Sequence, residues 1–353
     1  MGEYLVVFYV AYPYYFPHFL PIANELKKRG HKSHFILSDK QNISLMKKIS
    51  KDNGIEFSFG EERLFEIDCD FVFFANPYKR AKELNAHTIF LEHGIGTKST
   101  KFYPIIEYID TYLVEGNYKY NRLSELYPHF KNKLSMVGFS KFDAIVNITD
   151  REKHSIYKKY NLDPSKKTIL YAPTFFPSSI EKMSNNFPDD FKECNIIVKA
   201  HYLTYERKRY KNQRKKLDYW KNFDNCFVLD VEEYDLIPLF NISDVMISDE
   251  SSAMFEFVSL NKPVISNRFF KLRLSYYLMP WKLKNRIDSK KDRYRKLFSN
   301  AYSYNEMVNL TKEALMDPDK LKKYRLEFSK EICGKIDGKV SKRVVDLLED
   351  INV

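Results

Sequence analysis

The strongest constraint on the fold of this chain is an alternation of short apolar segments with longer segments of helical spacing, which occurs in two runs. "YLVVFYV" (4–10) is typical of a buried strand, a loop rich in Tyr and Pro follows, and "LPIANELKKRG" then predicts a helix closed by Gly30. The polar stretch 150–167 interrupts the alternation and predicts a helix with a turn. Further strand-like segments lie at 31–38, 70–75, 87–93, 111–116 and 134–139, and after the interruption at 168–176, 194–201, 225–230, 244–249 and 263–266.

Strands separated by helical crossovers form parallel sheets with helices on both faces. Two such runs predict an α/β fold of two Rossmann-like, doubly wound domains facing a cleft, with the boundary near residue 150. Ligands of such sheets bind at the carboxyl ends of the strands. We therefore expect the functional residues directly after the predicted strands.

The chain carries 58 Lys and Arg residues against 47 Asp and Glu residues, a formal net charge of +11. This surplus favours anionic partners: phosphorylated substrates, nucleic acid or an acidic membrane face. Two segments concentrate bases, "RKRYKNQRKK" (207–216) and "RFFKLRLSYYLMPWKLKNR" (268–286), and the second mixes them with aromatic residues. Both segments are suited to an anionic membrane surface, and both are equally compatible with solvated helix faces.

Several classes of protein are disfavoured. No apolar run approaches the ~20 residues of a membrane-spanning helix, and the first apolar segment lacks the flanks of a signal peptide. The four cysteines show no CxxC spacing, which favours structural thiols in a reducing cytoplasm over a zinc site. Motifs of dinucleotide-binding domains, P-loops, zinc proteases and α/β-hydrolases are missing from the sequence.

Polar residues follow predicted strands in both halves of the chain. One such placement means little, but together they indicate a site at the strand ends. The residues are His93 with Gly94 directly after "TIFLE" (88–92), Thr174 at the end of "ILYAPT" (169–174), Lys199 with His201 at the end of "IIVKAH" (196–201), and Asp249, Ser251 and Ser252 at the end of "DVMISD" (244–249).

The stretch "ISDESS" (247–252) joins a strand to a segment of helical spacing, 252–260. Ser251 or Ser252 is suited to be the N-cap of this helix, whose first amides and macrodipole favour phosphate. Glu256, one turn later, is placed to accept hydrogen bonds from ribose hydroxyls. The alternatives are a plain helix cap with Asp249 tightening the turn, and a solvent-facing acid at Glu256.

The two strand-end histidines are candidates for acid–base chemistry near neutral pH. Beside His93, glycine residues such as Gly94 permit close backbone approach to a ligand, and Lys98 can neutralise phosphate. Lys199 precedes His201 by two residues on the same strand face. A structural role remains the alternative for each histidine.

The motifs resemble the CDP-glycerol glycerophosphotransferase family of teichoic-acid and capsule polymerases and primases. The segments that carry the resemblance occur in family order over roughly residues 90–345, and the Asp-x-Ser-Ser block with Tyr-Ala-Pro-Thr upstream is the most specific. They are "HGIGTKS" (93–99), "GFSKFD" (138–143), "LYAPTFF" (170–176), "VKAH" (198–201), "SDVMISDESSAMFEFVSLNKPVI" (243–265) and "DGKVSKRVVDLL" (337–348).

The resemblance implies a GT-B fold with an acceptor-binding domain at 1–150, a CDP-donor-binding domain at 151–325, and a C-terminal helix at 326–353 that crosses back to the first domain. It implies transfer of a polyol phosphate, with glycerol phosphate as the first candidate, from a CDP-linked donor to a hydroxyl of a lipid-linked or capsular glycan, releasing CMP. Such enzymes act in teichoic-acid-like or capsule synthesis. The expected location is the cytoplasm, peripherally on the inner face of the plasma membrane.

The resemblance also implies roles for single residues. His93 is expected to deprotonate the acceptor, while His201 acts on the transferring phosphoryl group. No cofactor and no metal is expected, since the CDP-polyol is a co-substrate. The binding roles are donor phosphates for Ser251, Ser252, Thr174 and Lys199, nucleotide for Glu256, Asp249 and Pro173, and the acceptor side for Gly94 and Lys98.

The chain departs from the family pattern at several positions. Glu250 stands where Tyr is usual and should point away from the phosphates, and Phe176 replaces an arginine that a base from 207–216 could supply. Ser140 and Tyr202 each replace a proline. Two other functions remain open: a UDP-sugar-dependent glycosyltransferase or 2-epimerase of the same fold, and a non-catalytic binder of anions or nucleic acid.

Overall fold

A computed structural model of the protein describes residues 2–95, 100–249, 251–272 and 294–351. Lys98 and Glu250 lie outside these residues, as does most of the segment 268–286. Residue contacts divide the chain into two compact units. Unit 1 consists of Met1–Asn147 with Lys330–Val353, and unit 2 consists of Ile148–Ser329.

Each unit contains one parallel sheet. The strand order is β3-β2-β1-β4-β5-β6-β7 in unit 1 and β10-β9-β8-β11-β12-β13 in unit 2. In each sheet the next two strands lie on one side of the first strand and the later strands lie on its other side, as in doubly wound sheets. The strands are β1 (Leu5–Val10), β2 (Lys32–Leu37), β3 (Phe57–Phe59), β4 (Phe71–Phe74), β5 (His87–Leu91), β6 (Thr111–Val114), β7 (Leu134–Met136), β8 (Thr168–Ala172), β9 (Asn195–Val198), β10 (Cys226–Val228), β11 (Val245–Ser248), β12 (Val264–Asn267) and β13 (Ser299–Ala301).

Helices cover the sheets, and none in the described part of the chain is long and apolar enough to cross a bilayer. They are α1 (Phe16–Lys28), α2 (Ile43–Asp52), α3 (Asn117–Leu126), α4 (Asp143–Val146), α5 (Asp150–Lys159), α6 (Tyr202–Glu206), α7 (Lys211–Trp220), α8 (Ile237–Ile242), α9 (Ser252–Ser259), α10 (Tyr304–Met316), α11 (Lys322–Ile332) and α12 (Val340–Asp350). The predicted α/β fold of two Rossmann-like, doubly wound domains is confirmed.

The central strands are largely apolar because both faces of each sheet are covered. Every residue of β4, β6, β8 and β11 is buried. Several strands end earlier than predicted: β5 ends at Leu91 and β8 at Ala172. The polar residues that follow them therefore lie in loops at the carboxyl edge of each sheet.

The loop predicted after β1 is too long at its C-terminal end. Helix α1 begins at Phe16, so the segment 16–19 is helical, and a short 3-10 turn at Pro13–Tyr15 precedes it. Pro17 occupies the first turn of α1, where proline's missing N–H costs no hydrogen bond. The remaining loop is short and tyrosine-rich.

Helix α12 is attached to unit 1 by the two motifs "GFSKFD" and "DGKVSKRVVDLL". The buried Asp143 carboxylate accepts hydrogen bonds from the backbone N–H groups of Val340 (3.0 Å) and Ser341 (2.7 Å) and from the Ser341 hydroxyl (2.7 Å). Gly138 has φ +101°, and a Cβ there would lie 2.9 Å from Val340 Cγ2. Arg343 donates to the Val137 carbonyl at 2.7 Å. These motif residues hold the helix in place.

Candidate active site

In unit 1, His93 lies two residues beyond β5, and its Nδ1 is 2.6 Å from the carbonyl oxygen of Ala75, which follows β4. A carbonyl can only accept, so Nδ1 carries the hydrogen and donates it. In the neutral ring the basic lone pair is then on Nε2. This tautomer is the one a general base requires.

Two tyrosines from the loop after β1 surround the His93 ring. The ring centroids of Tyr14 and Tyr15 lie 5.5 and 5.1 Å from that of His93, in tilted geometry. His93 is half-buried, and Gly94 beside it is buried. The position of Lys98 is outside the described residues, so its predicted acceptor-side role stays a prediction.

A buried group of charges lies directly beneath this loop. Glu92, the residue before His93, is in contact with the ammonium of Lys119 on α3, and Glu115 after β6 lies 3.1 Å from the same ammonium. Burial lowers the pKa of Lys119 to about 7. Because an unpaired buried charge is costly, these three residues fix the start of the loop that carries His93.

In unit 2, His201 is the N-cap of α6, and its Nδ1 accepts a hydrogen bond from the Leu203 backbone N–H at 3.2 Å. The hydrogen of the neutral ring is therefore on Nε2, which can donate to a phosphoryl oxygen. Burial, with Lys199 and Arg207 nearby, lowers the pKa of His201 to about 4. At neutral pH the ring is thus uncharged and acts as a donor, whereas His93 has the opposite tautomer.

Positive charge near His201 comes from Lys199 and Arg207. Lys199 is half-buried, and burial lowers its pKa to about 8, although the negative charges of Glu233 and Asp230 oppose this shift. The exposed Arg207 guanidinium lies 5.9 Å from the ring centroid of Phe175, which itself is 4.8 Å from the His201 ring. Within the basic segment 207–216, Arg207 is the base identified beside this histidine.

Asp249 follows β11 and is completely buried. Its carboxylate accepts hydrogen bonds from the Thr174 backbone N–H (3.2 Å), the Ser178 hydroxyl (3.1 Å), and the backbone N–H (3.2 Å) and hydroxyl (2.5 Å) of Ser179. Burial raises the pKa of Asp249 to about 7, although these donors oppose the shift. The geometry favours a positioning role, in which Asp249 holds the loop after β8, over the direct nucleotide contact predicted from the sequence.

The loop that Asp249 holds contains two predicted site residues. Pro173 is buried, and Thr174 is half-buried with its hydroxyl donating to the Pro177 carbonyl at 2.7 Å. The Thr174 hydroxyl is thus a donor already engaged within its own loop. Its predicted contact with donor phosphates stays a prediction.

Ser251 is the N-cap residue of α9, as expected. Within the described part of the chain its side chain makes no capping hydrogen bond, and its hydroxyl instead lies 3.0 Å from that of Ser248. Ser252 is exposed at the first position of the helix. Glu256 is buried on α9, which excludes the solvent-facing alternative for this acid.

The sheet order brings most predicted residues of unit 2 to one edge. Strands β9, β8 and β11 are adjacent, so Lys199 and His201, Thr174, and Ser251 follow neighbouring strands. Sequence reasoning missed Lys119, Ser179 and Glu233, because helix and loop residues lack a strand-end signal. Among the described residues, no group of three or more His, Cys, Asp or Glu residues is arranged to hold a metal ion.

Comparison with known proteins identifies one family. Residues 81–350 match the model of the family described as CDP-glycerol:poly(glycerophosphate) glycerophosphotransferase. The matched range includes both histidines, the loop held by Asp249, and the motif residues that anchor α12.

Two curated relatives illustrate the match. The chain is 27% identical to the teichoic acid glycerol-phosphate primase of Bacillus spizizenii over 209 residues, covering 57% of this chain and 50% of the relative. It is 25% identical to the teichoic acid poly(ribitol-phosphate) polymerase of the same organism over 353 residues, covering 92% of this chain and 52% of the relative. The chain spans about half the length of these relatives.

Solved structures share the fold. The wall teichoic acid polymerase TagF aligns with a TM-score of 0.68 at 18% identity, covering 98% of this chain and 88% of that chain. The UDP-GlcNAc 2-epimerase of Neisseria meningitidis aligns with a TM-score of 0.65 at 12% identity, covering 98% of this chain and all of that chain (100%). At these identities the likeness concerns the fold alone.

Proposed function

Because the chain belongs to the CDP-glycerol:poly(glycerophosphate) glycerophosphotransferase family, we propose that it transfers glycerol phosphate from CDP-glycerol to a hydroxyl of a glycan acceptor and releases CMP. The observation that best supports this function is the pair of strand-end histidines with opposite tautomers. One ring offers a base to the attacking hydroxyl, and the other offers an N–H to the phosphoryl group.

In the proposed reaction, His93 Nε2 takes the proton of the acceptor hydroxyl while the oxygen attacks the phosphorus that bears the glycerol. The O–P bond to the acceptor forms, and the bond from this phosphorus to the CMP oxygen breaks. The Ala75 carbonyl, by accepting from Nδ1–H, keeps the basic nitrogen on Nε2 and stabilises the imidazolium that forms. The proton therefore has a defined destination.

Phosphoryl transfer depends mainly on positioning and on electrostatic stabilisation of the phosphate oxygens. His201 Nε2–H supplies a donor, and Lys199 supplies a positive charge from the same strand end. The family pattern has an arginine at the position of Phe176, and Arg207 supplies a guanidinium in its place. We propose that these groups offset the charge of the diphosphate and that no resident cofactor takes part.

The nucleotide end of the donor is proposed to bind at the start of α9 and along the loop after β8. Ser252 is exposed, and the first amides of α9 point toward its N-terminal side, a favourable arrangement for a phosphate group. Glu256 is proposed to bind the ribose, and Pro173 to contact the base. Asp249 contributes by holding the loop.

The donor is tested by thermal unfolding of the purified protein with CDP-glycerol, CDP-ribitol or UDP-GlcNAc. A ligand that binds only the folded state stabilises it by about 2.7 kcal/mol at a hundred times its Kd. We expect CDP-glycerol to raise the melting temperature and Arg207→Ala to reduce this rise, because the guanidinium lies beside His201.

The matched control is Arg209→Ala, which removes an exposed base two residues away that lies over the Tyr210 ring. It should leave the shift unchanged. A larger shift with UDP-GlcNAc than with CDP-glycerol would favour a UDP-sugar-dependent transferase or epimerase instead.

The acceptor is proposed to be lipid-linked, with the protein bound peripherally to an anionic membrane face. Two of the seven bases in 207–216 are engaged within unit 2: Arg214 donates to the Thr204 carbonyl, and Lys216 donates to the Met183 carbonyl. The others are exposed: Arg207, Lys208, Arg209, Lys211 and Lys215.

We expect the triple variant Lys208→Glu, Lys211→Glu and Lys215→Glu to bind vesicles of anionic phospholipid at least about a hundredfold more weakly, at about 1 kcal/mol per basic residue. Co-sedimentation measures this directly. The triple variant Lys47→Glu, Lys48→Glu and Lys51→Glu, at exposed positions of α2, makes the same change in net charge and is the control. Equal weakening by both variants would contradict a specific membrane-facing surface.

A further inference from the structure

Two aromatic rings contact the imidazole of His201 in unit 2. The ring centroid of Phe175, in the loop after β8, lies 4.8 Å from that of His201 in tilted geometry, and the ring of Tyr202 lies 4.7 Å away in stacked geometry. Rings at such distances attract one another beyond the effect of burial alone. The proposed function assigns a role to His201 but gives none to these two rings.

The Phe175 ring also packs against the segment that joins α6 to α7. Its centroid is 6.0 Å from that of the buried Tyr210 and 5.9 Å from the guanidinium carbon of Arg207. A guanidinium within about 6 Å of a ring centroid is attracted to the ring. One side chain therefore contacts both His201 and Arg207, which are two of the groups proposed to offset the charge of the diphosphate.

The backbone of Phe175 is fixed from two sides. Its carbonyl accepts a hydrogen bond from the side-chain amide of Gln213 on α7 at 3.2 Å, and the N–H of the preceding Thr174 donates to the buried Asp249 carboxylate at 3.2 Å. Gln213 is itself buried and accepts from the Thr204 hydroxyl of α6 at 3.2 Å. Phe175 thus links the loop that Asp249 holds to both α6 and α7.

Tyr202 is the first residue of α6 and stands where the family pattern has a proline. Proline is well suited to the first position of a helix, so the start of α6 does not require a tyrosine. His201 before it is extended, with ψ 140°, a conformation that a residue before proline also adopts. What tyrosine adds at this position is a ring stacked on His201.

The orientation of the His201 ring has two determinants. The hydrogen bond from the Leu203 N–H to Nδ1 fixes the tautomer, with the hydrogen on Nε2, but a single hydrogen bond still lets the ring tilt about that nitrogen. The rings of Phe175 and Tyr202 restrict this tilt. A donor contributes most to catalysis when its direction is fixed before charge develops on the reacting group.

We propose that Phe175 and Tyr202 are positioning residues that fix the direction in which His201 Nε2–H donates to the transferring phosphoryl group. Phe175 in addition places Arg207 beside the same ring. Neither aromatic ring exchanges a proton or forms a bond in the reaction, and each acts through its contact with His201. The inference rests on the proposed function, because that function gives His201 its role.

The variants Phe175→Leu and Tyr202→Pro test the kinetic consequence. Leucine keeps an apolar side chain in the loop without a ring, and proline keeps the helix start without a ring. We expect each variant to lower kcat for CMP release about tenfold at saturating CDP-glycerol and acceptor, since misplacement of a reacting group by about 1 Å can cost about a hundredfold. Phe175→Tyr, which retains a ring, should stay within about threefold of the wild type.

The matched control is Phe223→Leu, at another half-buried aromatic residue of unit 2, whose ring contacts Tyr219. It should leave kcat unchanged. Combination with His201→Asn separates positioning from a general effect on the fold. If Phe175 acts through His201, Phe175→Leu should lower kcat by no more than about threefold in the His201→Asn protein. An equal loss in the wild-type and His201→Asn backgrounds would overturn the proposal.

NMR titration of the histidine side chains gives a readout that needs no turnover, and the His201 signal is identified by its loss in His201→Asn. Burial, followed by the charges of Lys199 and Arg207, lowers the pKa of His201 to about 4. Loss of the Phe175 ring admits water, so Phe175→Leu should raise this pKa by about half a unit or more, toward the ordinary value near 6.5.

A His201 pKa and a kcat that are both unchanged in Phe175→Leu and Tyr202→Pro would overturn the positioning role. If the wild type releases no CMP from CDP-glycerol, yet the His201 pKa rises in Phe175→Leu and is unchanged in Phe223→Leu, the proposed function fails and the contact that positions His201 stands.

Discussion

The His93→Asn variant is expected to release CMP about 10²- to 10⁴-fold more slowly than the wild type, the range that a general base contributes. Asparagine can donate to the Ala75 carbonyl as Nδ1–H does, but its amide has no basic nitrogen for the acceptor proton. The loss should appear in kcat. The initial rate of CMP release at saturating CDP-glycerol and acceptor measures it.

Donor binding separates a chemical defect from a folding defect in this variant. Since His93 lies in unit 1 and the proposed donor groups lie in unit 2, CDP-glycerol should raise the melting temperature of His93→Asn as much as that of the wild type. A variant that keeps more than about a tenth of the wild-type rate would rule out His93 as the general base, because the expected loss is at least ten times larger.

The second large effect is expected at His201. His201→Asn should lower kcat about 10²- to 10³-fold, the size found when one preorganised donor to a transition-state oxygen is removed. Asparagine is a good N-cap and can accept from the Leu203 N–H, so α6 should keep its start. The variant therefore loses the Nε2–H donor and little of the structure.

His201→Gln is the matched variant. Its amide nitrogen can reach the position of Nε2, so it should be at least about tenfold faster than His201→Asn if N–H donation is what matters. Equal rates for the two variants, both close to the wild type, would remove His201 from the reaction. Equal rates with both proteins destabilised would instead assign it to the structure of α6.

The fold could be predicted because buried apolar segments recur many times along the chain. Strands such as β4 and β8 are buried at every position, as parallel strands covered on both faces must be, and most of their residues are apolar. The misses were β3 and β13, which have three residues each and lie at sheet edges. The edge strands β7 and β10 are equally short, but each lies in a longer segment that was predicted as a strand, 134–139 or 225–230. The start of α1 was misplaced because prolines hid a helical turn.

The site was predictable in part. That polar residues follow β5, β8, β9 and β11 can be read from the sequence, and parallel topology then gathers them at one edge of each sheet. The sequence does not show which ring nitrogen of each histidine is basic. That depends on the Ala75 carbonyl for His93 and on the Leu203 backbone N–H for His201. Likewise the burial of Asp249 became visible only with Ser178 and Ser179 folded around it.

Some motif residues stabilise the fold and others are proposed to contact substrate, and the sequence alone does not distinguish the two. Asp143, Gly138 and Arg343 anchor α12, as described above. Lys262 of the "NKPVI" element is also structural: its ammonium donates to the carbonyls of Phe240 (2.6 Å) and Ser243 (2.8 Å) at the end of α8, and burial lowers its pKa to about 8. A motif match therefore identifies a family more readily than it identifies the residues in contact with substrate.

The central claim is that the chain moves glycerol phosphate from a CDP-linked donor. The most direct measurement follows CDP-glycerol by phosphorus NMR with the wild-type protein and a glycan acceptor. We expect CMP and a new glycerol phosphodiester to appear in equal amounts, only when acceptor is present, and at a rate that falls in His93→Asn. Consumption of a UDP-sugar while CDP-glycerol and CDP-ribitol remain intact would contradict it.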